Sequence, residues 1–212
     1  MKRYCWGLFV AALMSAFTGT ASANLLTNPG FENPVLGGGD TFGAVGWNVF
    51  GGGTYTIKLA PHSGDNAFKT FGQTSGAYQE FPASAGENWA GGAYLLNPSF
   101  DALAGAQIAA VNIEWRDAGD NLISFISSPN GLTAASPQGS TAADYVYAPV
   151  AGIAPAGTAK ARFVLLTGAF AGPGGGAPFF DDASFARVPE PATVLLVGAG
   201  AVGIIALRRR QG

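Results

Sequence analysis

The chain has 212 residues, with 13 Asp and Glu, 11 Lys and Arg, one histidine and one cysteine, for a net charge of −2. A single cysteine excludes an intramolecular disulfide, and a single histidine excludes paired-histidine metal motifs such as H-E-x-x-H. The near-neutral total hides an uneven distribution: Asn24–Arg187 carries twelve acids and six basic residues, a net charge of −6, because five of the 11 basic residues sit at the two ends. An acidic central region is a poor partner for nucleic acid and is repelled by anionic membrane surfaces.

The N-terminus reads as an export signal. Lys2 and Arg3 form a basic start, an apolar run extends from Trp6 to Phe17, and Ala21-Ser22-Ala23 supplies the small residues that signal peptidase requires. The expected signal peptide is therefore 1–23, with cleavage between Ala23 and Asn24. Cys5 lies inside this segment, so the mature chain has no thiol for a disulfide, a metal or nucleophilic catalysis.

The segment that follows, 24–187, has the length of one domain. Short apolar runs alternate with clusters of Gly, Pro, Asn, Asp and Ser, and no long helical pattern occurs, which predicts an all-β, antiparallel two-sheet sandwich. The predicted strands are Thr54–Leu59, Ala67–Phe71, Ala77–Phe81, Asn88–Leu95, Gln107–Arg116, Asn121–Ser127, Asp144–Val150, Ala159–Leu166 and Phe179–Arg187. Strict alternation over Val111–Arg116 puts Val111, Ile113 and Trp115 on one face, and leaves Glu114 and Arg116 as an ion pair on the other. Asp117-Ala118-Gly119-Asp120-Asn121 is a hairpin turn. Ala161–Leu166 is continuously apolar apart from Arg162, as expected of a central strand buried on both faces. Gly37–Gly39, Gly51–Gly53 and Ala171–Gly176 are expected to be loops. None is a phosphate loop, since no G-x-x-x-x-G-K-[ST] occurs.

The C-terminal segment, 188–212, is tripartite: Val188-Pro189-Glu190-Pro191, a sixteen-residue apolar stretch from Ala192 to Leu207, then Arg208-Arg209-Arg210 and a two-residue end. As a helix the apolar run spans about 24 Å at 1.5 Å per residue. Arginine snorkelling brings this near a membrane crossing, and the arginines predict a cytoplasmic C-terminus. The order of these parts, behind a signal peptide, resembles the PEP-CTERM sorting signal. The resemblance implies a substrate of an exosortase-type processing enzyme, held transiently in the inner membrane by its tail and then released to the cell surface or extracellular matrix. It also implies an association with biofilm and exopolysaccharide, with Pro189, Glu190 and Pro191 as the recognition motif.

A second resemblance covers most of the central domain. Asn24-Leu25-Leu26-Thr27-Asn28-Pro29-Gly30-Phe31-Glu32, Gly46-Trp47, His62-Ser63-Gly64-Asp65-Asn66-Ala67, Ala77-Tyr78-Gln79-Glu80-Phe81 and Phe179-Phe180-Asp181-Asp182-Ala183-Ser184-Phe185 follow the order found in the galactose-binding-like jelly roll of many carbohydrate-binding modules. It implies that the first and last strands lie together, bringing Glu32 to Asp181 and Asp182. It also implies a structural calcium ion there, ligated by Glu32, one of Asp181 or Asp182, and carbonyls near Ser63 and Gly64. Alternation would send the two adjacent aspartates to opposite faces, leaving one to coordinate.

Carbohydrate contact would need exposed rings, for which Trp89, Tyr94, Tyr78 and Tyr55 are the candidates. Trp47 and Trp115 are expected in the core. His62 sits in a turn with no G-x-S-x-G nucleophile elbow to accompany it. A glycosidase would need two carboxylates facing each other across a cleft, and the sequence cannot pair Glu80, Glu87, Asp101, Glu114 and Asp117. The expectation is a non-enzymatic matrix or cell-surface protein that binds exopolysaccharide; the alternative is a small secreted hydrolase acting on matrix polysaccharide.

Overall fold

The computed structural model describes residues 23–189, of which Ala23–Val188 form one compact unit. The predicted signal peptide, apart from Ala23, and the predicted tail helix with its arginines lie outside the described residues, as do Glu190 and Pro191. Among the described residues no helix is long and apolar enough to cross a membrane.

The unit is a sandwich of two antiparallel sheets. In chain order the strands are β1 (Asp40–Phe42), β2 (Asn48–Phe50), β3 (Thr54–Ile57), β4 (Ala67–Thr70), β5 (Thr74–Pro82), β6 (Asn88–Leu96), β7 (Ala104–Arg116), β8 (Leu122–Ser127), β9 (Leu132–Thr133), β10 (Val146–Ile153), β11 (Lys160–Gly175) and β12 (Phe179–Val188). The first sheet runs β1-β3-β4-β12-β6-β10 and the second β2-β5-β11-β7-β8, with β9 beside β7.

Period-2 alternation explains the core. Val111, Ile113 and Trp115 of β7 pair with Leu165, Phe163 and Ala161 of β11 and face Phe68, Trp89, Leu95, Phe180 and Phe185 of the first sheet. Of the run Ala161–Leu166, expected to be buried on both faces, Ala161–Leu165 are buried and Leu166 only partly so; Ala161, Phe163 and Leu165 face the core, and Arg162 on the outer face is covered by Tyr78 and Glu80 of β5. Phe31 is fully buried, stacked on Phe68 at 5.0 Å between ring centroids and tilted against Trp47 at 5.3 Å.

All nine predicted strands form, and β1, β2 and β9 were not predicted. Each has two or three residues, too short for an alternation pattern to register. The stretch Ala171–Gly176, expected as a loop, is largely strand: β11 continues to Gly175, pairing Gly174 with Gly105 after a bulge beyond Ala169. Glycine permits that pairing, since a Cβ on Gly105 would collide with the Pro173 carbonyl.

The segment before Phe31 is not a strand, yet it is tied down like one. The Gln79 side chain accepts from Thr27 N–H at 2.9 Å and donates to Thr27 O at 2.7 Å. Asn24 accepts from Phe185 N–H at 3.0 Å and donates to Ala183 O at 2.9 Å. The first clamp ties the segment to β5 and the second to β12, and Ala183 N–H adds to the β12 attachment by donating to Pro29 O. Gly30–Glu32 are thereby delivered to the carboxylates of β12.

Candidate functional site

The first candidate is the carboxylate cluster. Glu32, Asp181, Asp182, Ser63 and Gly64 converge. A Cβ placed on Gly30 would lie 3.3 Å from Asp182 Oδ1, 3.8 Å from Asp181 Oδ1 and 3.9 Å from Glu32 Cγ. One on Gly64, where φ is +63°, would collide with the Glu32 carboxylate. The expectation that adjacent aspartates diverge is corrected. The β12–β6 register shifts between Asp181 and Ser184, and Asp182 takes φ +44°, so alternation fails there. Both carboxylates turn to the same loop. Asp181 Oδ2 accepts from His62 N–H at 2.8 Å and Ser63 N–H at 3.3 Å, while Asp182 Oδ1 accepts from Ser63 Oγ at 2.9 Å. Asp182 Oδ2 lies 2.7 Å from His62 Nδ1.

Asp181 has no solvent exposure. Burial, and then the neighbouring Asp182 charge, push its carboxyl up to about 7 against three opposing backbone N–H bonds. Burial likewise raises the Tyr145 hydroxyl above its usual range, helped by both aspartates. Tyr145 donates to Ala60 O at 2.8 Å, and the His62 ring stacks on Tyr94 with centroids 3.7 Å apart. Glu32 Oε1 accepts from Asp65 N–H at 3.0 Å and Asn66 N–H at 3.1 Å. Asn66 is buried and its Oδ1 has no partner.

Carboxylates, an orphaned amide oxygen and loop carbonyls are the donor chemistry of a hard cation. Every carboxylate oxygen also holds an N–H, O–H or imidazole partner. Among the described residues no group of three or more His, Cys, Asp or Glu side chains has metal-ligand geometry. The Ser63 hydroxyl donates to Asp182, not to the imidazole, so His62 does not stand as a base beside a serine nucleophile.

The second candidate is the outer face of the second sheet. Register places Arg162 of β11 between Glu80 of β5 and Glu114 of β7. Arg162 Nη2 lies 2.7 Å from Glu80 Oε2 and 3.0 Å from Asp120 Oδ1, and Arg116 Nη2 lies 2.7 Å from Glu114 Oε2. Lys160 bridges Glu80 and Asp120 at 3.2 and 3.3 Å. The Arg162 guanidinium also sits 4.0 Å above the centre of the Tyr78 ring. The Arg162 hydrogen bond holds the Glu80 carboxyl below its usual value despite some burial, with Lys160 reinforcing it. Beside this ladder is a depression of about 210 Å³ lined by Phe50, Tyr78, Glu114, Arg116, Arg162 and Val164. Buried Asn112, paired with Val164, has an Oδ1 without a partner, and Phe125 of β8 stands opposite Glu114.

The four predicted sugar-contact rings do not share a surface. Trp89 is 3% exposed, held against Phe185 at 5.0 Å and Phe81 at 6.4 Å, and offers no face to a sugar. The β6 alternation that sends Trp89 inward sends Tyr94 outward, where His62 and Tyr147 cover it. Tyr55 is half-buried on the first sheet, stacked on Phe71 at 5.9 Å. Tyr78 alone lies on the second sheet's outer face. Sequence reasoning missed Phe50, Phe125, Arg162 and Asn112 as neighbours on that face. Alternation does orient Arg162 away from Phe163, but the register that gathers these residues is not a local property.

Residues 187–210 match the family model described as the PEP-CTERM protein-sorting motif. The chain carries an exosortase sorting signal. That motif marks it for export, transient anchoring in the membrane, processing and placement at the cell surface or in the matrix, and it implicates an exosortase-type partner. No curated protein matches the chain.

Among solved structures, a cyclase from Fischerella sp. TAU in complex with 4-(1H-indol-3-yl)butan-2-one is 13% identical, with TM-score 0.59 over 81% of this chain and 98% of that one. The CBM22-1 xylan-binding domain from Paenibacillus barcinonensis is 16% identical, with TM-score 0.53 over 80% and 97%. The enzymatically active domain of bacteriophage CBA120 tailspike protein 4 is 14% identical, with TM-score 0.53 over 78% of this chain but only 21% of that one. At these identities the likeness is one of fold: a jelly-roll sandwich shared by binding domains and enzymes.

Proposed function

We propose that the sorted product is a non-enzymatic polysaccharide-binding domain of the cell surface or matrix, and that the outer face of the second sheet is its binding face. The observation that carries this reading is the depression at Phe50 and Tyr78, with the Glu–Arg ladder beside it. Aromatic edges flanked by fixed donors and acceptors are the chemistry by which neutral sugars are held. The likeness to a xylan-binding domain agrees with this class of ligand.

A hydrolase acting at this same face would have Glu80 and Glu114, on either side of Arg162, as its carboxylates. A general acid needs a raised pKa, whereas Glu80 is lowered and Glu114 is paired with Arg116. At this face, that favours binding over catalysis.

We also propose a structural calcium ion at the Glu32–Asp181–Asp182 cluster, with loop carbonyls near Ser63 and Gly64. When bound it would supply positive charge that relieves the repulsion between the aspartates.

The test is affinity electrophoresis of the protein through gels containing plant and bacterial polysaccharides, including the producer's own matrix. Retardation is expected, with Phe50→Ala and Glu114→Gln each weakening it by about tenfold, in the range of one lost sugar contact. No retardation on any gel would overturn the binding reading, and reducing-end release from a retained polymer would replace it with the hydrolase.

A further inference from the structure

The sorting signal and the folded domain share residues. The family match covers residues 187–210, whereas β12 runs to Val188, so Arg187 and Val188 belong to both. Within β12 they are paired with β6: Arg187 opposes Trp89 and Val188 opposes Asn88. The Arg187 guanidinium lies 2.7 Å from Glu87 Oε1. Glu87 is itself fixed, since its Oε2 accepts from Ser84 N–H at 3.2 Å and from the indole N–H of Trp89 at 3.3 Å. Trp89 is core, so one carboxylate fastens the first residue of the matched signal to the interior of the sandwich. Pro189 follows Val188 directly, with no spacer between the last paired residue and the Pro-Glu-Pro motif. Further back, β12 is held at Phe185, which is fully buried and bonded to Asn24 and Leu25.

We propose that the end of β12 gates processing of the tail: the exosortase-type enzyme acts on chains in which Ala186–Val188 have peeled away from β6. An enzyme that reads Arg187 and Val188 needs their backbone and the arginine side chain, and the closed domain engages both. The opening is small. Phe185 stops it on one side, and on the other Pro189 has no N–H with which to extend the pairing. Strand ends open locally at far lower cost than the whole domain unfolds. Processing then scales with the fraction of chains open at this end, just as apparent affinity scales with the population of a competent state. A tight β12 end prolongs the membrane-held form, and a loose one hastens release. The gate is independent of what the outer face of the second sheet binds and of any ion at the carboxylate cluster.

The test follows conversion of the full-length chain in membranes of the producing cell, in a Cys5→Ala background so that every thiol is an introduced one. Asn88→Cys with Val188→Cys places two thiols on directly opposed residues, whose Cα atoms in an antiparallel pair lie about 4.5–5.5 Å apart, within reach of a disulfide. Oxidised, this chain should be processed more than about tenfold more slowly than when reduced, the open fraction having been removed. The Cys5→Ala chain without the pair should be processed equally under both conditions. Glu87→Gln leaves the signal untouched and should speed processing about two- to fivefold, the range of an exposed ion pair. Gly-Ser-Gly-Ser inserted between Ala186 and Arg187 keeps 187–210 intact but takes it out of register with β6. It should speed processing by about tenfold, the effect of an ion pair and a net hydrogen bond together. Urea unfolding of each variant confirms that the domain remains folded. Equal processing of the oxidised and reduced cysteine pair would show that the enzyme reads the signal on a closed domain, and would overturn the proposal. A folded spacer variant processed no faster than the unsubstituted chain would also overturn it.

Discussion

Asp181 makes stability depend on pH in a direction opposite to that of most carboxylates. Its carboxyl is pushed from an ordinary 3.8 to about 7, chiefly by complete burial and next by the charge of Asp182. The folded chain therefore holds this proton more tightly than the unfolded chain does. Stability is full below pH 4 and declines as pH rises from about 4 to about 7, where the folded group has also ionised. At about 1.4 kcal/mol per tenfold change in proton affinity, that interval corresponds to about 4 kcal/mol, a large share of a typical domain's 5–15 kcal/mol. The carboxyls that the structure lowers, Glu80, Glu87, Asp117, Asp120 and Asp144, lose their effect below the usual carboxylate range, outside this window. Urea midpoints in chelator, taken every half pH unit from 4.5 to 8, should fall steadily. Calcium should reverse the trend, because cation binding strengthens as Asp181 ionises. Saturation at a hundred times the dissociation constant adds about 2.7 kcal/mol. A flat profile in chelator would refute the assigned proton affinity. A calcium effect absent at pH 7.5 would refute the proposed ion.

Two further outcomes test particular contacts. Gly64→Ala should displace Glu32 and impose strain at φ +63°, lowering stability by about 1–3 kcal/mol and abolishing any calcium-dependent rise in melting temperature. Trp89→Ala should cost about 3–5 kcal/mol of stability, read by urea unfolding, because the ring is core. Trp89→Phe should leave polysaccharide retardation unchanged, and a selective loss of binding there would return Trp89 to the ligand surface.

Legibility followed distance along the chain. The Val111–Trp115 face, the Asp117–Asn121 turn and the doubly buried Ala161–Leu165 run could be read directly because each rests on a period-2 pattern or on local turn chemistry. The Glu114–Arg116 ion pair, at 2.7 Å, belongs with them, since i and i+2 share a strand face. The same rule failed at Asp181-Asp182, where a bulge against β6 turns both carboxylates to one loop. It also could not separate Tyr78, which reaches the candidate face, from Trp89, which fills the core. Each position is amphipathic in isolation, and the partner strand decides.

The sequence by itself determined the address, carried by a contiguous motif at residues 187–210, and the all-β class. Its resemblance to the galactose-binding-like jelly roll named the acids of the carboxylate cluster. Only the tertiary structure decided how those acids meet, and that Arg162 stands between Glu80 and Glu114. The physical reason is that side-chain periodicity is set within a strand, whereas bulges, register and sheet edges arise from hydrogen bonds between residues as far apart as Asn24 and Phe185.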